Sequence, residues 1–158
     1  MRKIFTLLCI TTLIFTSCSS DDDADLDTIG QTFELDNVDF IAPEFAVNIP
    51  FPQGIEVFES DVVLVYRLED VVDGRDVWEP VPTPAIFLDN GGELTYRFNF
   101  TLVDVDILLD SPDISLIGSD FTQNQVFRIV VVPSAFAKNT DINLLDFNAV
   151  QSALNLDF

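Results

Sequence analysis

Cys18 is the residue of this chain whose surroundings define a specific chemistry. It follows a short leader in which Arg2 and Lys3 precede an apolar run of 12 residues, 4–15. A cysteine thiolate is a good nucleophile toward a diacylglycerol donor, and a hydroxyl group is no substitute for it. The apolar run is shorter than the roughly 20 residues that a helix needs to span a bilayer. The leader therefore predicts export rather than a membrane-spanning anchor.

Residues 15–18, FTSC, resemble the lipobox of bacterial lipoproteins, in which a small residue precedes the cysteine that becomes the new N-terminus. Ser17 fits this pattern, whereas Phe15 stands where leucine is usual. The resemblance implies that residues 1–17 are a signal peptide and that Cys18 carries the lipid. Two or more acyl chains hold a protein stably on a bilayer, so we expect membrane attachment through this anchor only. The alternative is an ordinary secretory signal in which Cys18 is incidental.

A run of small and acidic residues follows the anchor: Ser19, Ser20, Asp21, Asp22 and Asp23, with Asp25 and Asp27 after them. The run resembles the export signal of Bacteroidota lipoproteins, which sends them to the outer face of the outer membrane. It implies a lipid-anchored protein exposed on the cell surface, with the periplasmic face as the other location. Alternatively, these residues only keep a tether solvated and extended. In both interpretations residues 18–31 form an acidic tether and residues 32–158 a single domain.

Acidic residues dominate the chain, with 27 Asp and Glu against 7 Lys and Arg and a net charge of −20. Removal of the leader takes away Arg2 and Lys3, so the mature protein is more acidic still. Binding to nucleic acid or to anionic head groups depends on clustered Lys and Arg. We therefore expect no nucleic-acid partner. The partners that remain are another envelope protein and an extracellular glycan.

Few residues suited to catalysis remain in the mature protein. The chain has no histidine, and its two cysteines are Cys9 in the leader and Cys18. This composition excludes Ser-His-Asp and Cys-His arrangements and zinc sites built on imidazole or thiolate, and we expect no cofactor. A pair of carboxylates, as in glycosidases, is the remaining enzymatic possibility. Asp104 and Asp106 share one face of a predicted strand, but a solvated sheet face explains them better.

Four acidic residues have the spacing of a calcium-binding loop. Asp23, Asp25, Asp27 and Glu34 occupy the first, third, fifth and twelfth places of an EF-hand-like loop, which supply carboxylate oxygens. The match is partial, because Thr28 replaces the glycine of the sixth place and no helix precedes the loop. We favour loose association of cations with the acidic surface over a defined metal site.

Apolar residues alternate along the domain with the period of β-strands. Strand-like runs cover residues 33–40, with an irregularity at 36–37, and then 45–49, 55–58 and 62–68. Residues 62–66 are apolar on both faces, which predicts a central strand. Residues 70–76 read as a turn, and the Asn90-Gly91 pair suits the positive φ angles of a hairpin turn.

The later part of the domain continues the strand pattern and then changes period. The alternation of residues 94–102 slips by one place at Leu102, which predicts a bulge or a strand switch there. Residues 126–132 form a last strand, and residues 146–154 have helical spacing. Trp78, the only tryptophan, is expected to be partly buried in the core rather than a platform for sugar stacking. Together these features predict an antiparallel β-sandwich of about seven strands, immunoglobulin-like in outline, with a short C-terminal helix; the alternative is a β-barrel.

Three runs resemble a family of short flavobacterial surface lipoproteins: IEVFESDVVLVYRL at 55–68, VWEP at 77–80 and FTQNQVFRIVVVP at 121–133. The resemblance covers most of the mature domain and brings no established activity, although some relatives carry the name dihydrolipoamide dehydrogenase. Such flavoenzymes need a G-x-G-x-x-G dinucleotide loop and a redox cysteine pair, and this chain has neither. We therefore predict a non-catalytic binding or structural module of the envelope. The alternative is a carboxylate- or calcium-dependent hydrolase-like activity at the cell surface.

Overall fold

The computed structural model describes residues 30–139 and 141–156. Its strands are β1 (Gln31–Val38), β2 (Ala46–Pro50), β3 (Val62–Val72), β4 (Arg75–Val81), β5 (Ile86–Phe87), β6 (Glu93–Phe100), β7 (Asp104–Asp110) and β8 (Gln125–Val132). Its helices are α1 (Ser119–Thr122), α2 (Ser134–Asn139) and α3 (Phe147–Leu154), and a 3-10 turn covers Ile114–Leu116. The strands form two antiparallel sheets, sheet I with the order β1-β8-β3-β4 and sheet II with the order β2-β7-β6-β5.

The main core fills the space between the two sheets. It is built from inward-facing apolar residues of both sheets and from two residues of their connections, Phe40 and Val57. The strand residues are Val38, Ile49, Val63, Val65, Val81, Leu94, Tyr96, Val105, Ile107, Leu109, Phe127, Ile129 and Val131. Full burial of such a side chain contributes about 1.5 to 3 kcal/mol. The predicted sandwich with a short C-terminal helix is therefore confirmed, and its two four-stranded sheets remain separate rather than closing into a barrel.

Sheet I is buried on both faces. Its outer face packs against α2, α3 and Leu156, which follows α3, through a second apolar cluster: Tyr66, Val130, Val132, Phe147, Val150, Leu154 and Leu156. This explains why residues 62–66 are all apolar and why residues 126–132 are apolar except for Arg128, since β3 and β8 are the two inner strands of this sheet. The prediction of a central strand at residues 62–66 is confirmed.

Sheet II has an outer face that is open to solvent. Asn48 of β2 and Arg97 and Asn99 of β6 are exposed along it, and they alternate with residues that point into the core. Such alternation is typical of an antiparallel sheet with one packed face and one solvated face. The sandwich therefore has one covered side and one open side.

Three of the predicted local features differ in the structure. Residues 55–58 form no strand and belong to the connection between β2 and β3, although Val57 of this connection is buried in the core. The turn predicted at residues 70–76 is confined to Asp73 and Gly74, because β3 and β4 pair on either side of it. The slip at Leu102 is a hairpin turn rather than a bulge or strand switch, and it joins β6 to β7.

The turn between β6 and β7 is closed by its own side chains. Thr101 N donates to the Asp104 carbonyl at 2.9 Å, and Val103 N donates to Thr101 Oγ1 at 3.1 Å. The hydroxyl of Thr101 also donates to the Asp104 carboxylate. A side chain that hydrogen-bonds to nearby backbone can stabilise a turn without glycine or proline. The loss of alternation at Leu102 therefore marks a reversal of the chain.

The two ends of the sandwich carry different loops. At the end where the described chain begins, Glu56 N donates to Gln31 Oε1 at 3.2 Å and Phe51 N donates to the Val103 carbonyl at 2.9 Å. These bonds group the start of β1, the connection after β2 and the β6–β7 turn at one end, which we call the amino-terminal end. The opposite end carries the β5–β6 hairpin and residues 114–122.

Candidate functional site

A cleft of about 480 Å³ lies at the opposite end, between the β5–β6 hairpin and the segment before β8. We call it the hairpin cleft. Its walls are formed by two stretches that are distant in sequence: Phe87, Leu88, Asp89 and Asn90 on one side, and Leu116, Gly118 and Phe121 on the other. Three of its seven lining residues, Phe87, Asp89 and Asn90, are exposed side chains of the hairpin.

Asn90 holds the two walls of the hairpin cleft together. Its Oδ1 accepts from Gly92 N at 2.9 Å, and its Nδ2 donates to the Leu116 carbonyl at 2.8 Å. Gly91 has a φ of 84°, which a residue without Cβ adopts at little cost. The predicted hairpin at Asn90-Gly91 is thus confirmed, and the same asparagine fixes its position against residues 114–116.

The wall opposite the hairpin is held by two further contacts. Asp113 accepts from Ser115 N at 3.1 Å and so caps the 3-10 turn. The phenol of Tyr96 donates to the Phe121 carbonyl from inside the core. Burial raises the pKa of Tyr96 to about 12, with Arg67 opposing the rise, so the phenol remains a donor at neutral pH. Both walls of the cleft are therefore fixed by the fold.

Phe87 and Asp89 give the hairpin cleft its chemical character. Phe87 has 76% of its surface exposed, the largest fraction among the exposed large apolar residues in the described part of the chain. Asp89 is also exposed and lies two residues further along the hairpin. No lysine or arginine is among the described residues that line the cleft. The cleft therefore combines an accessible aromatic ring with a carboxylate.

In a second, smaller cleft of about 280 Å³, two carboxylates share one concave surface. It contains Glu93 of β6 and Asp110 of β7, together with Thr95. Asp110 pairs with Arg97 at 3.0 Å, and both of these side chains are more than half exposed. A glycosidase needs one carboxyl group that burial keeps protonated near neutral pH. The exposed and ion-paired Asp110 is instead typical of a solvated sheet face.

Asp104 and Asp106 lie on the solvent-exposed face of sheet II, which agrees with the expectation that a solvated sheet face explains their spacing. Asn48 Nδ2 donates to Asp104 Oδ2 at 3.0 Å and to Asp106 Oδ1 at 2.8 Å. Hydrogen bonds from Thr101 and then from Asn48 lower the pKa of Asp104. The Asp104 carboxylate is therefore an ionised acceptor, and Asn48, which the sequence did not single out, links it to Asp106.

A buried polar cluster inside the sandwich was not predicted. Arg67, 7% exposed, donates to Glu79 Oε2 at 3.3 Å and to Gln125 Oε1 at 3.3 Å, and its guanidinium lies 4.9 Å from the centre of the Tyr96 ring. Burial raises the pKa of Glu79, and Arg67 opposes this rise. Arg67 lies two residues after Val65 and therefore on the same inward face of β3. A charged residue at an inward position of the strand pattern was the feature of the sequence that could have predicted this cluster.

Trp78 and Glu34 take part in a packed contact on the outer face of sheet I. The Arg128 guanidinium lies 4.0 Å from the Trp78 ring centre and 4.7 Å from that of Phe147. Arg128 Nε donates to Glu34 Oε2 at 3.0 Å. The prediction of a partly buried Trp78 is confirmed. Its ring contacts the arginine and the helix α3.

The calcium candidate is divided between described and undescribed parts of the chain. Asp23, Asp25 and Asp27 lie outside the described residues, whereas Glu34 belongs to β1 and is paired with Arg128. Within residues 30–139 and 141–156, no group of three or more His, Cys, Asp or Glu side chains is arranged to hold a metal ion.

The predicted anchor and export residues also lie outside the described residues: Cys18, Ser19, Ser20, Asp21, Asp22 and Asp23. Among the helices of the described part, none has the length and apolar character needed to cross a membrane. Comparison of the chain with models of protein families, with curated proteins and with solved structures gives no match.

Proposed function

We propose that this chain is a lipoprotein of the outer membrane, exposed on the cell surface, whose β-sandwich acts as a non-catalytic binding or structural module of the envelope. Its anchor is the lipid on Cys18, and residues 19–23 direct it to the outer face. Its partner is another envelope protein or an extracellular glycan. The flavobacterial surface lipoproteins that the chain resembles belong to the same class.

The observation that carries the binding role is the hairpin cleft. Its walls are held by the Asn90 amide and the Tyr96 phenol, while Phe87 and Asp89 point their ring and carboxylate to solvent. An exposed aromatic side chain in a concave surface is typical of recognition sites. A rigid cleft with an accessible ring supports recognition of a partner, and it needs no catalytic group.

The experiment that tests location compares the wild-type chain with Cys18→Ala in cells. We expect the wild type to appear in the outer-membrane fraction, to carry a lipid-modified cysteine at its N-terminus by mass spectrometry, and to be digested by protease added to intact cells. Cys18→Ala should leave the membrane fraction, because the lipid is the only anchor. An unmodified N-terminus on protein released to the medium would contradict the proposal.

A second variant separates export from lipidation. Replacement of Asp21, Asp22 and Asp23 by alanine leaves Cys18 intact, so the variant should remain membrane-bound. It should also become resistant to external protease, because it stays on the periplasmic face. Full surface exposure of this variant would show that the acidic run is only a solvated tether.

The alternative function is a carboxylate- or calcium-dependent hydrolase-like activity at the cell surface. One observation favours it, namely that Glu93 and Asp110 share the smaller cleft with Thr95. Activity on oligosaccharides that is lost in both Glu93→Gln and Asp110→Asn, but not in Asp106→Asn, would establish this alternative. If the wild type does not hydrolyse the oligosaccharides, the hydrolase-like alternative is refuted and the proposed binding role remains.

A further inference from the structure

We propose that the hairpin cleft binds a lysine or arginine side chain, flanked by an apolar residue, on an exposed segment of a neighbouring envelope protein. This inference rests on the proposed function and names the chemistry of the partner. It depends on three features of the cleft: an exposed aromatic ring, an exposed carboxylate, and walls that are already fixed.

The apolar part of the cleft is accessible from outside and continuous with the core. Phe87 is 76% exposed, whereas Leu88 and Phe121 are partly buried and pack against the main core. An exposed ring of this size gains free energy when an apolar or cationic group covers it. Because the floor is part of the core, a side chain that enters the cleft meets surfaces that do not have to rearrange.

The polar part of the cleft selects for positive charge. Within residues 30–139 and 141–156, no hydrogen bond or ion pair engages the Asp89 side chain, and no described lysine or arginine lines the cleft. The strongly negative net charge of −20 attracts cations and repels anions over long distances. A lysine or arginine places its apolar stem along a ring and its head at a carboxylate, which matches Phe87 and Asp89.

A glycan fits the same cleft less well. Recognition of a sugar needs several hydrogen-bonding groups that fix its hydroxyls, in addition to an aromatic face. The Asn90 amide is partly engaged, since its oxygen accepts from Gly92 N and its nitrogen donates to the Leu116 carbonyl, which leaves one N–H and one lone pair. Asp89 and this remainder of the Asn90 amide are the polar side-chain groups of the cleft lining that a ligand can use, too few for several hydroxyls. One carboxylate beside a ring suits a single cation better than an array of hydroxyls.

The fixed walls lower the cost of binding. Asn90 ties the hairpin to residue 116, and the Tyr96 phenol ties the Phe121 backbone to the core. Ordering of flexible loops opposes association, so a cleft that is ordered beforehand keeps more of the contact energy. A short basic segment can therefore be recognised through one anchoring side chain.

Site-specific photo-cross-linking in living cells tests the proposal. The probe is p-benzoylphenylalanine, placed at position 87 of the full chain, where it keeps an aromatic ring on the exposed edge strand. The control position is Phe100, which is also an exposed phenylalanine but lies beside the β6–β7 turn at the amino-terminal end. Mass spectrometry of the product identifies the partner's cross-linked segment.

We expect a product from position 87 that is absent from position 100, with the linked segment carrying lysine or arginine next to an apolar residue. Asp89→Lys should reduce the yield of this cross-linked product by about tenfold, because the lysine repels the partner's basic side chain where Asp89 attracts it. Glu59→Lys makes the same change of charge at an exposed site of the amino-terminal end and should leave the yield unchanged.

Three outcomes would overturn the inference: no product beyond that of position 100, a product on a glycan or on a segment without a basic residue, or a yield that Asp89→Lys and Glu59→Lys reduce equally. External protease treatment of the same cells reports separately on location. A surface-exposed protein without the product would leave the proposed function standing and refute the inference alone.

Discussion

Two arginines at neighbouring register positions stabilise opposite faces of sheet I. Arg67 of β3 pairs with Phe127 of β8, and Arg128, the next residue of β8, pairs with Tyr66. Arg67 therefore points into the sandwich, where it meets Glu79, and Arg128 points outward beneath α3. A planar guanidinium can stack on rings and still donate to a carboxylate, which a lysine ammonium cannot do as well.

Arg128→Ala should lower the free energy of unfolding by about 2 to 3 kcal/mol, because it removes a stacked cation and leaves Glu34 without its guanidinium. The cost stays below that of a fully buried pair, since the Glu34 side chain is 36% exposed and can be rehydrated. Urea unfolding measures the change. The control is Arg97→Ala, whose pair with Asp110 is exposed and should contribute less than about 1 kcal/mol. Equal losses in the two variants would contradict this account.

Glu79 should make the stability of the protein depend on pH in the opposite sense to an ordinary paired carboxylate. Burial raises the pKa of Glu79, Arg67 opposes the rise and Glu69 adds to it. The folded protein therefore holds this proton at pH values where the unfolded chain has lost it. The contribution of Glu79 to stability is greatest below its ordinary pKa and decreases as pH rises through its folded pKa.

Glu79→Gln tests that dependence, because the amide keeps the shape and cannot ionise. The free energy of unfolding of the wild type minus that of the variant should decrease as pH rises through the acidic range and then become constant. Urea unfolding at a series of pH values measures it. A difference that is flat or rises with pH would mean that the Arg67 ion pair outweighs burial.

At the scale of elements, α3 is the helix that closes the outer face of sheet I. Its N-cap is Asp146, whose carboxylate accepts from Asn148 N at 3.0 Å and from Ala149 N at 3.3 Å. The Tyr66 phenol donates to the Leu144 carbonyl at 2.7 Å just before this cap. The start of the helix is thus fixed both by its own cap and by the sheet below it.

Asp146→Ala should lower the free energy of unfolding by about 1 kcal/mol, because two backbone donors at the start of α3 lose their acceptor. In this variant, the rate of amide hydrogen exchange should increase more in α3 than in β8. The matched control is Asp141→Ala, an exposed aspartate in the preceding connection, which should change stability by less than about 0.5 kcal/mol. Faster exchange throughout sheet I in Asp146→Ala would show that the cap acts on the whole domain.

Strands and helix were predictable where one period covers a whole element. The run 126–132 of β8, which is apolar except for Arg128, and the helical spacing of α3 each agree with their burial. The β6–β7 turn was not recognised, because the residues between the two strands, Thr101, Leu102 and Val103, include none of the glycine, proline, asparagine, aspartate or serine that usually mark turns. Residues 55–58 were misjudged, because an apolar residue can be buried in a loop as well as in a strand.

The hairpin cleft could be predicted only in part. The Asn90-Gly91 pair marks the hairpin, because the turn needs a residue that tolerates positive φ. Nothing local to the hairpin indicates that Asn90 also donates to Leu116, 26 residues further along the chain. The exposure of Phe87 was not predicted either, because an apolar residue in a strand pattern is normally assigned to the core. Sites formed by distant segments require the three-dimensional fold.

At the scale of the whole molecule, burial and charge are distributed unevenly. Sheet I is covered by α2 and α3, whereas the outer face of sheet II is open and carries Asp104, Asp106 and Asp110. A chain with a net charge of −20 repels itself when compact, and salt screens that repulsion. Its stability should therefore respond to cations generally.

The same charge distribution predicts that calcium stabilises the protein no more than magnesium does. The calcium candidate needs Glu34 as the ligand at the twelfth place of its loop, but Glu34 is held by Arg128, whose positive charge opposes a second cation at that carboxylate. The midpoint temperature of thermal unfolding should rise equally in CaCl₂ and MgCl₂ at matched concentration. In both salts it should increase gradually with concentration rather than reach saturation. NaCl at the same ionic strength gives the screening contribution alone. A saturable excess for calcium would require Glu34 to leave Arg128, and Arg128→Ala should then enhance it, because the carboxylate would be released.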